Sequence, residues 1–333
     1  MTQTVSVLDE AFILPHSQPV AGVHDEFSNA KCEMCGLPGD AYGSGVYNHH
    51  PYRILSCPGC TLIWTDPLID QPSTSNGESD EYWAEDVYLA NVEAQKKRFR
   101  QQVRAFLKAS GRTQTQELKV LEVGSGLGFF LDVCEEFGIS AAGCDIDAEA
   151  VRYANRERPR VRLGTLDSFY DDNTFDAVFA FNLIEHLPHP KSFLEEAHRV
   201  LRPGGTLVLE TPLRESLFHR VARLGSLVTR GRLNLYGLHP GGHIYKFSKK
   251  SFQFSATGLS FQKLSACNIN SPFNEIWGKS SIAAVDHRLL YRTALPFLWG
   301  LAKLTRTGNR IFIMLRKSVH SASQNEIQKA APC

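Results

Sequence analysis

The chain has almost no net charge: 36 Lys and Arg stand against 35 Asp and Glu, a balance of +1 at neutral pH. The strongly basic excess that marks a nucleic-acid binder is absent from the chain as a whole. Long apolar runs are absent too. The most apolar late segment, Leu289 to Leu304, is broken by Arg292 and Pro296 and is too short to span a bilayer. The N-terminus lacks a secretory leader pattern, since Asp9, Glu10, Asp25 and Glu26 interrupt it and no continuous apolar stretch is present. A cytoplasmic location is therefore expected. Internal repeats and low-complexity tracts are also missing. The remainder is ordinary for a globular chain, with 43% hydrophobic and 21% charged residues over 333 positions. Such a length can bury a large core, as one sizeable domain with an appendage or as two domains.

One more absence is informative. Leu118 to Leu131 reads LKVLEVGSGLGFFL, a short apolar strand running into Gly124-Ser-Gly-Leu-Gly128 and then an apolar helix. Glycines at a strand-to-helix turn permit tight backbone angles and close ligand approach, and the following helix start offers unpaired N–H groups. An adenosine-type cofactor is the first expectation. A dinucleotide fingerprint needs Gly-x-Gly-x-x-Gly, but Phe129 stands at the third glycine position and Gly128 comes one residue early. A phosphate-binding Lys is missing as well. Instead, Glu122 lies two residues before the first glycine and Asp145 ends the next apolar run, Ile139 to Cys144. A carboxylate at the first place repels a pyrophosphate but suits a cationic ligand, and one at the second is placed for ribose hydroxyls. Glycines with two carboxylates fit a sulfonium nucleoside better than NAD or ATP.

Four segments then carry a resemblance: Glu122-Val-Gly-Ser-Gly-Leu-Gly128, Gly143-Cys-Asp-Ile-Asp147, Phe175-Asp-Ala-Val-Phe-Ala-Phe-Asn-Leu-Ile-Glu-His-Leu187 and Leu201-Arg-Pro-Gly-Gly-Thr-Leu207. Each alone is a weak match, but in this order and spacing they resemble the signatures of class I S-adenosylmethionine-dependent methyltransferases, over roughly Tyr82 to Lys317. The resemblance implies an α/β, doubly wound, Rossmann-like seven-stranded sheet. It also implies that Glu122, Gly124, Gly126 and Gly128 hold the methionine portion of the cofactor, that Asp145 takes the ribose hydroxyls and that Ile146 packs on adenine. Leu166, within Thr165-Leu-Asp167, is placed at the adenine edge, and Asn182 borders the methyl group. Many relatives carry an acidic residue where Thr165 stands. Asp167 is read equally as a helix N-cap or as an adenine contact.

Eight cysteines are present, and four form Cys32-x-x-Cys35 and Cys57-x-x-Cys60. The spacing is that of a four-thiolate zinc site, with Gly36 after one pair and Pro58-Gly59 inside the other. An all-thiolate tetrahedral site has no open position, so its role is structural, and it supplies folding energy that a short segment cannot gain from its own core. Disulfides are the weaker alternative in a cytosolic setting. The surrounding residues resemble the small zinc ribbon that precedes some bacterial methyltransferase domains of small-molecule and polysaccharide pathways. Cys134, Cys144 and Cys267 read as buried small hydrophobes, and Cys333 has no partner in the pattern.

The expected organisation is a flexible arm over 1–28, the zinc ribbon over 29–68, a linker and helix over 69–110, the methyltransferase domain over 111–318 with an inserted helical segment at 274–308, and a tail over 319–333. Strands are expected at Lys119–Val123, Ser140–Asp145, Val161–Gly164, Ala177–Phe181 and Thr206–Glu210, with Arg202-Pro-Gly-Gly as the turn into the last of these. Helices are expected at Phe129–Phe137, Ala148–Arg156, Pro190–Val200 and Ser248–Gly258, and a closing strand pair at Phe261–Ile269 and Arg310–Arg316.

Methyl transfer to oxygen calls for alignment and a proton acceptor, and His has a suitable pKa. His186, directly after the fourth strand, and His243, in a glycine-rich stretch, are the candidates. In some quinone-pathway O-methyltransferases a nearby Glu, Glu, His set is associated with a divalent metal, but Asn182 stands in the first acidic place here, which argues against a catalytic metal. His189, His198 and His219 read as surface helix residues. Tyr82, Trp83 and Tyr88 cover the cofactor or simply pack. Basic residues gather at 213–250, eight against Glu215 alone, and seven more lie between His287 and Gln324 with no acid. An anionic small-molecule or glycan acceptor fits these, and 289–304 is a candidate for peripheral membrane contact, with a sheet-covering or dimer-forming helix as the plainer alternative. No nucleic-acid partner is expected, because between Lys31 and Asp66 the only cations are Lys31 and Arg53. The competing function is a non-catalytic binding module that kept the cofactor fold and acts through the ribbon.

Overall fold

The computed structural model describes residues 30–47, 50–67, 89–228, 238, 240, 242–271 and 288–319. Tyr82, Trp83, Tyr88, His239 and Cys333, most of the expected arm, linker and tail, and the first part of the expected 274–308 insertion lie outside the described residues.

Three strands open the described chain: β1 (Asp40–Tyr47), β2 (His50–Ser56) and β3 (Ile63–Asp66). Helix α1 (Val92–Ser110) follows, entered through a short 3-10 turn and ended by Gly111 in the left-handed conformation. Then come β4 (Lys119–Val123), α2 (Phe129–Glu136), β5 (Ser140–Asp145), α3 (Ala148–Ala154), β6 (Val161–Leu163), β7 (Phe175–Phe181), α4 (Pro190–Val200) and β8 (Leu201–Pro212). The chain continues through α5 (Leu217–Val228), β9 (Tyr245–Lys246), α6 (Lys249–Gly258), β10 (Phe261–Ile269), α7 (Arg288–Leu304) and β11 (Arg310–Lys317).

The large sheet has seven strands in the order β10-β11-β8-β7-β4-β5-β6. β4 to β8 pair in parallel, and β11 closes antiparallel between β8 and β10. β7 is buried at every residue, as a strand covered on both faces must be. The chain runs from β4 outward through β5 to β6 and then returns to place β7 on the other side of β4. That reversal makes a switch point, and the crevice beyond the carboxyl ends of β4 and β7 is where such sheets bind ligands.

Two apolar layers flank the sheet. On one, Phe99 and Phe106 of α1 meet Phe130 of α2 and Phe179 and Phe181 of β7, with Phe130 4.7 Å from Phe179 between ring centroids. On the other, Leu121, Val178 and Leu209 continue without a break into Leu62, Trp64 and the cysteines of the first strands. The first three strands join β9 in a second sheet of four, in the order β1-β2-β3-β9. This small sheet thus takes its edge strand from a segment nearly two hundred residues away.

Several boundaries fall where hydrophobic pattern and Gly or Pro punctuation place them, among them β4, β5, α4 and β10. The Arg202-Pro-Gly-Gly segment differs from expectation. It lies inside β8, whose register against β7 slips between Phe175 and Ala177, so the extra residues are absorbed as a bulge. Two residue environments also differ. His219 on α5 is buried, packed beside Tyr42, because α5 covers the small sheet. Cys267 is exposed on the edge strand β10, whereas Cys134 and Cys144 are buried as expected. On α7, Phe297 and Leu304 are exposed. Among the described residues no helix is long and apolar enough to cross a membrane.

Candidate active site and four-cysteine centre

β4 ends at Val123 and bends at once. Gly124, Gly126 and Gly128 all take positive φ, at 71°, 49° and 81°, a region that side chains disfavour. A Cβ on Gly124 would stand 3.0 Å from Leu183, so the turn is also crowded. The bend is fixed to β5 by Gly124 and Ser125, whose N–H groups donate to the Cys144 carbonyl at 2.9 and 3.2 Å. Gly128 caps α2, so the helix start faces the crevice.

Asp145 lies opposite this turn. Its carboxylate accepts from the Gly126 N–H at 2.7 Å and from the Asp147 N–H at 2.9 Å. Burial raises its pKa, while those two donors pull the other way. Glu122 is 4% exposed, and its Oε2 has no hydrogen-bond partner. Its pKa is raised well above the ordinary carboxylate range, first by burial and then by the charge of Asp145. Two further buried atoms without partners lie on the elements that frame this switch point, Ser125 Oγ in the turn and Asn182 Oδ1 after β7. Leaving such a group unpaired costs about 1–3 kcal/mol, so these three atoms would gain from a polar ligand at the switch point. Asn182 itself has φ 52°, an uncommon conformation for a residue with a side chain, held by its N–H donating to the Glu210 carbonyl at 2.8 Å.

Ile146 beside Asp145 is 61% exposed, and Leu166 is buried in a 3-10 turn after β6. Asp167 does not cap a helix. Its carboxylate accepts from the Thr165 hydroxyl, and Thr165 occupies the cap position without capping through its side chain.

The candidate acceptor-side residues come from two distant segments. Ile184–His186 form a 3-10 turn just beyond β7. There Glu185 is fully buried, its Oε2 accepts from the Thr211 hydroxyl at 2.8 Å, and its Oε1 has no hydrogen-bond partner. Burial pushes its pKa up to about 7. The exposed His186 places Nδ1 3.0 Å from the Gly242 carbonyl, and its ring lies 4.7 Å from that of His243. The sequence-derived candidates His186 and His243 are thus neighbours in space. Glu185, which stands beside His186 in the second acidic place of the quinone-pathway set, joins them: one ligand atom from each of Glu185, His186 and His243 lies within 4.8 Å of the others. The signal available in the sequence was an acid in the turn just beyond a continuously apolar strand, preceded by Leu183 and Ile184, where burial is expected. Asn182 stands in the first acidic place, and His243 brings a third potential ligand atom from another segment.

The four cysteines also converge. Cys32 Sγ lies 3.4 Å from Cys60 Sγ, and Cys35 Sγ 3.2 Å from Cys57 Sγ, with all four sulfurs within 4.8 Å. Sulfurs bound tetrahedrally at 2.3 Å would stand roughly 3.8 Å apart, so the donor set is compatible with zinc. The two knuckles share one design. Gly36 donates to the Cys32 carbonyl and Thr61 to the Cys57 carbonyl, and both take the left-handed conformation, with φ 74° and 62°. Burial raises the Cys57 thiol to about 11, and Cys32, hydrogen-bonded to Cys60, is pushed up further.

Residues 93–263, half of the chain, match the methyltransferase domain family. A protein of Mycolicibacterium smegmatis named "Probable S-adenosylmethionine-dependent methyltransferase" is 38% identical over 28% of this chain and 38% of its own length. The mitochondrial ubiquinone biosynthesis O-methyltransferase of Mus musculus is 24% identical over 51% of this chain and 48% of its own. The ubiquinone biosynthesis O-methyltransferase of Parvibaculum lavamentivorans is 24% identical over 54% of this chain and 73% of its own. The chain thus spans less than half the length of the first two. A solved S-adenosylmethionine-dependent methyltransferase from Archaeoglobus fulgidus is 20% identical, with TM-score 0.47 over 71% of this chain and 99% of that one. With a glycine turn and two carboxylates at the switch point, and with the family match spanning α1 to β10, the chain belongs to the methyltransferase domain family.

Proposed function

We propose that the chain transfers a methyl group to an oxygen of a small-molecule or glycan-pathway acceptor, with His243 taking the acceptor proton and His186 beside it. The observation that carries this reading is the imidazole pair, 4.7 Å apart between ring centroids, just beyond the end of β7. An imidazole titrates near working pH, and positioned proton transfer contributes about 10²–10⁴-fold to rate.

The cofactor residues are Glu122, Gly124, Gly126, Gly128, Asp145, Ile146, Leu166 and Asn182. S-adenosylmethionine supplies an activated methyl group on a positively charged sulfur. The unpartnered Glu122 Oε2 fits a cationic donor, and ionised Glu122 and Asp145 together offset the ligand's charge in a buried place. Asp145, already fixed by two backbone N–H groups, is preorganised for the ribose hydroxyls. The exposed Ile146 offers an apolar face to adenine, and Leu166 closes its edge. Cys32, Cys35, Cys57 and Cys60 hold a structural zinc, a reading supported by their mutual distances.

A second reading has one observation in its favour. Glu185, His186 and His243 form a compact two-nitrogen, one-oxygen set with an unpartnered carboxylate oxygen, and such a set suits a divalent cation that would bind the acceptor oxygen. Metal analysis separates the two readings. One equivalent of zinc supports imidazole base chemistry, whereas a second metal that disappears in His243→Ala supports the cation. The test of the main reading is a scan of hydroxylated acceptors with labelled cofactor, followed by His243→Ala on any acceptor found. Transfer should fall about 10²–10⁴-fold with cofactor affinity unchanged; transfer that persists within a few-fold contradicts the assignment.

A further inference from the structure

The four-cysteine ribbon is joined to the acceptor side of the cleft at several points and to the cofactor side at none of the polar contacts described above. Its third strand pairs with β9, Ile63 opposite Lys246 and Trp64 opposite Tyr245. Ile244 is shared between the two bodies: its N–H donates to the Glu185 carbonyl at 3.0 Å, and its carbonyl accepts from the Thr65 N–H at 3.1 Å. The residue before it is His243. The second knuckle reaches the other end of the same segment. Ser248 donates to the Cys60 carbonyl at 3.2 Å, and its hydroxyl lies 2.7 Å from that of Thr61. Arg214 donates to the Thr61 carbonyl and, at 3.2 Å, to Ser56. Thr61 is a non-glycine residue in the left-handed region, a conformation that persists only where its surroundings over-determine it. Ser248 is also the N-cap of α6, so the knuckle and the helix start are fastened together.

We propose that the ribbon, closed by its metal, is a positioning element of the acceptor site: through β3 and β9 it holds His243 against His186. The inference rests on the zinc and histidine readings above. The metal ties the knuckle at 32–35 to the knuckle at 57–60. Without that tie, the strained Thr61 and the short β3 lose their anchor, Thr65 no longer fixes Ile244, and the segment carrying His243 loses one of its two walls. The polar framework of the cofactor side does not pass through the ribbon, although the two share one apolar layer. Its bonds, Gly124 and Ser125 to Cys144 and Gly126 to Asp145, lie wholly within the large sheet. Metal occupancy therefore controls the geometry of proton removal but not the binding of S-adenosylmethionine.

The test uses the full chain, zinc-loaded and then stripped with a chelator under reducing conditions, and a second protein, Thr65→Pro, that keeps all four cysteines but lacks the N–H bonded to Ile244. Zinc content, S-adenosylmethionine affinity by calorimetry, and amide exchange over 242–248 are measured on each. Stripping should cut protection over 242–248 by about 100-fold or more while cofactor affinity stays within about two-fold, and zinc should restore the protection. Thr65→Pro should keep its zinc and cofactor affinity and lose protection at 243–246. Unchanged protection on stripping or in Thr65→Pro overturns the proposal, and so does a cofactor affinity that collapses together with the protection, because the ribbon would then support the whole fold. A protein that takes up no zinc defeats the zinc reading before any exchange is measured; unchanged exchange in a zinc-binding protein defeats the coupling alone.

Discussion

The cofactor side of the cleft and its acceptor side differ in how far apart in the chain their parts lie. Glu122, the glycines and Asp145 belong to a single strand–helix–strand unit, and its turn is pinned to the next strand by hydrogen bonds between near neighbours. Glu185 and His186 are met by His243 from nearly sixty residues away, and His243 is steadied in turn by a strand at 63–66. The first arrangement is local and self-supporting. The second is a convergence of three segments, and under the proposal above it is expected to hold only while the small sheet stays closed. Two sheets of one molecule thus carry two kinds of stability, and substitutions in each should separate them.

The largest effect is expected in the aromatic layer behind the glycine turn. Phe130 is 1% exposed, and Phe130→Ala should cost about 3–5 kcal/mol, read as a loss of global stability by denaturant melt. A cost below about 1 kcal/mol would mean that this layer does not support the large sheet. Leu62→Ala, in the fully buried floor of the ribbon, should cost about 2–5 kcal/mol, but its exchange signature should concentrate in 30–66 and 242–248 rather than in β4 and β7. Uniform loss of protection would erase the distinction between the sheets.

Glu122→Gln comes next, and its sign depends on pH. The folded-state pKa of Glu122 is raised, chiefly by burial, so its protonated form stabilises the empty protein below the unfolded-state pKa, and that stabilisation is lost as pH rises through the folded-state value. The glutamine variant should therefore melt several degrees above the parent at alkaline pH, with the gap closing under acid, while binding S-adenosylmethionine more weakly. An equal gap at all pH values would contradict the assignment. The smallest effect belongs to the exposed Arg152–Glu149 pair on α3: Arg152→Ala should change stability by about 0.5 kcal/mol or less, measured in the same melts.

The same contrast governs what the sequence reveals. β4, the glycine turn and β5 are legible because each is a short apolar run punctuated by glycine, and their chemistry is contiguous. The two cysteine knuckles are legible for the same reason. β9 is not, since two residues carry no periodicity, and its partner strand lies nearly two hundred residues away in the chain. Glu185 beside His186 was visible as part of an incomplete acidic set, but the approach of His243 from another segment was not. His219 was misplaced because α5 looks amphipathic in isolation, and only the small sheet beneath it buries that histidine. Local chemistry can be read along the chain; chemistry made by long-range pairing cannot.

The most direct test of the central claim is a calorimetric titration of S-adenosylmethionine into the parent protein and into Asp145→Ala. The account predicts one-to-one binding in the parent that disappears in the variant, with the melting profile of the ribbon unchanged. A parent that does not bind, or a variant that binds as tightly as the parent, would contradict it.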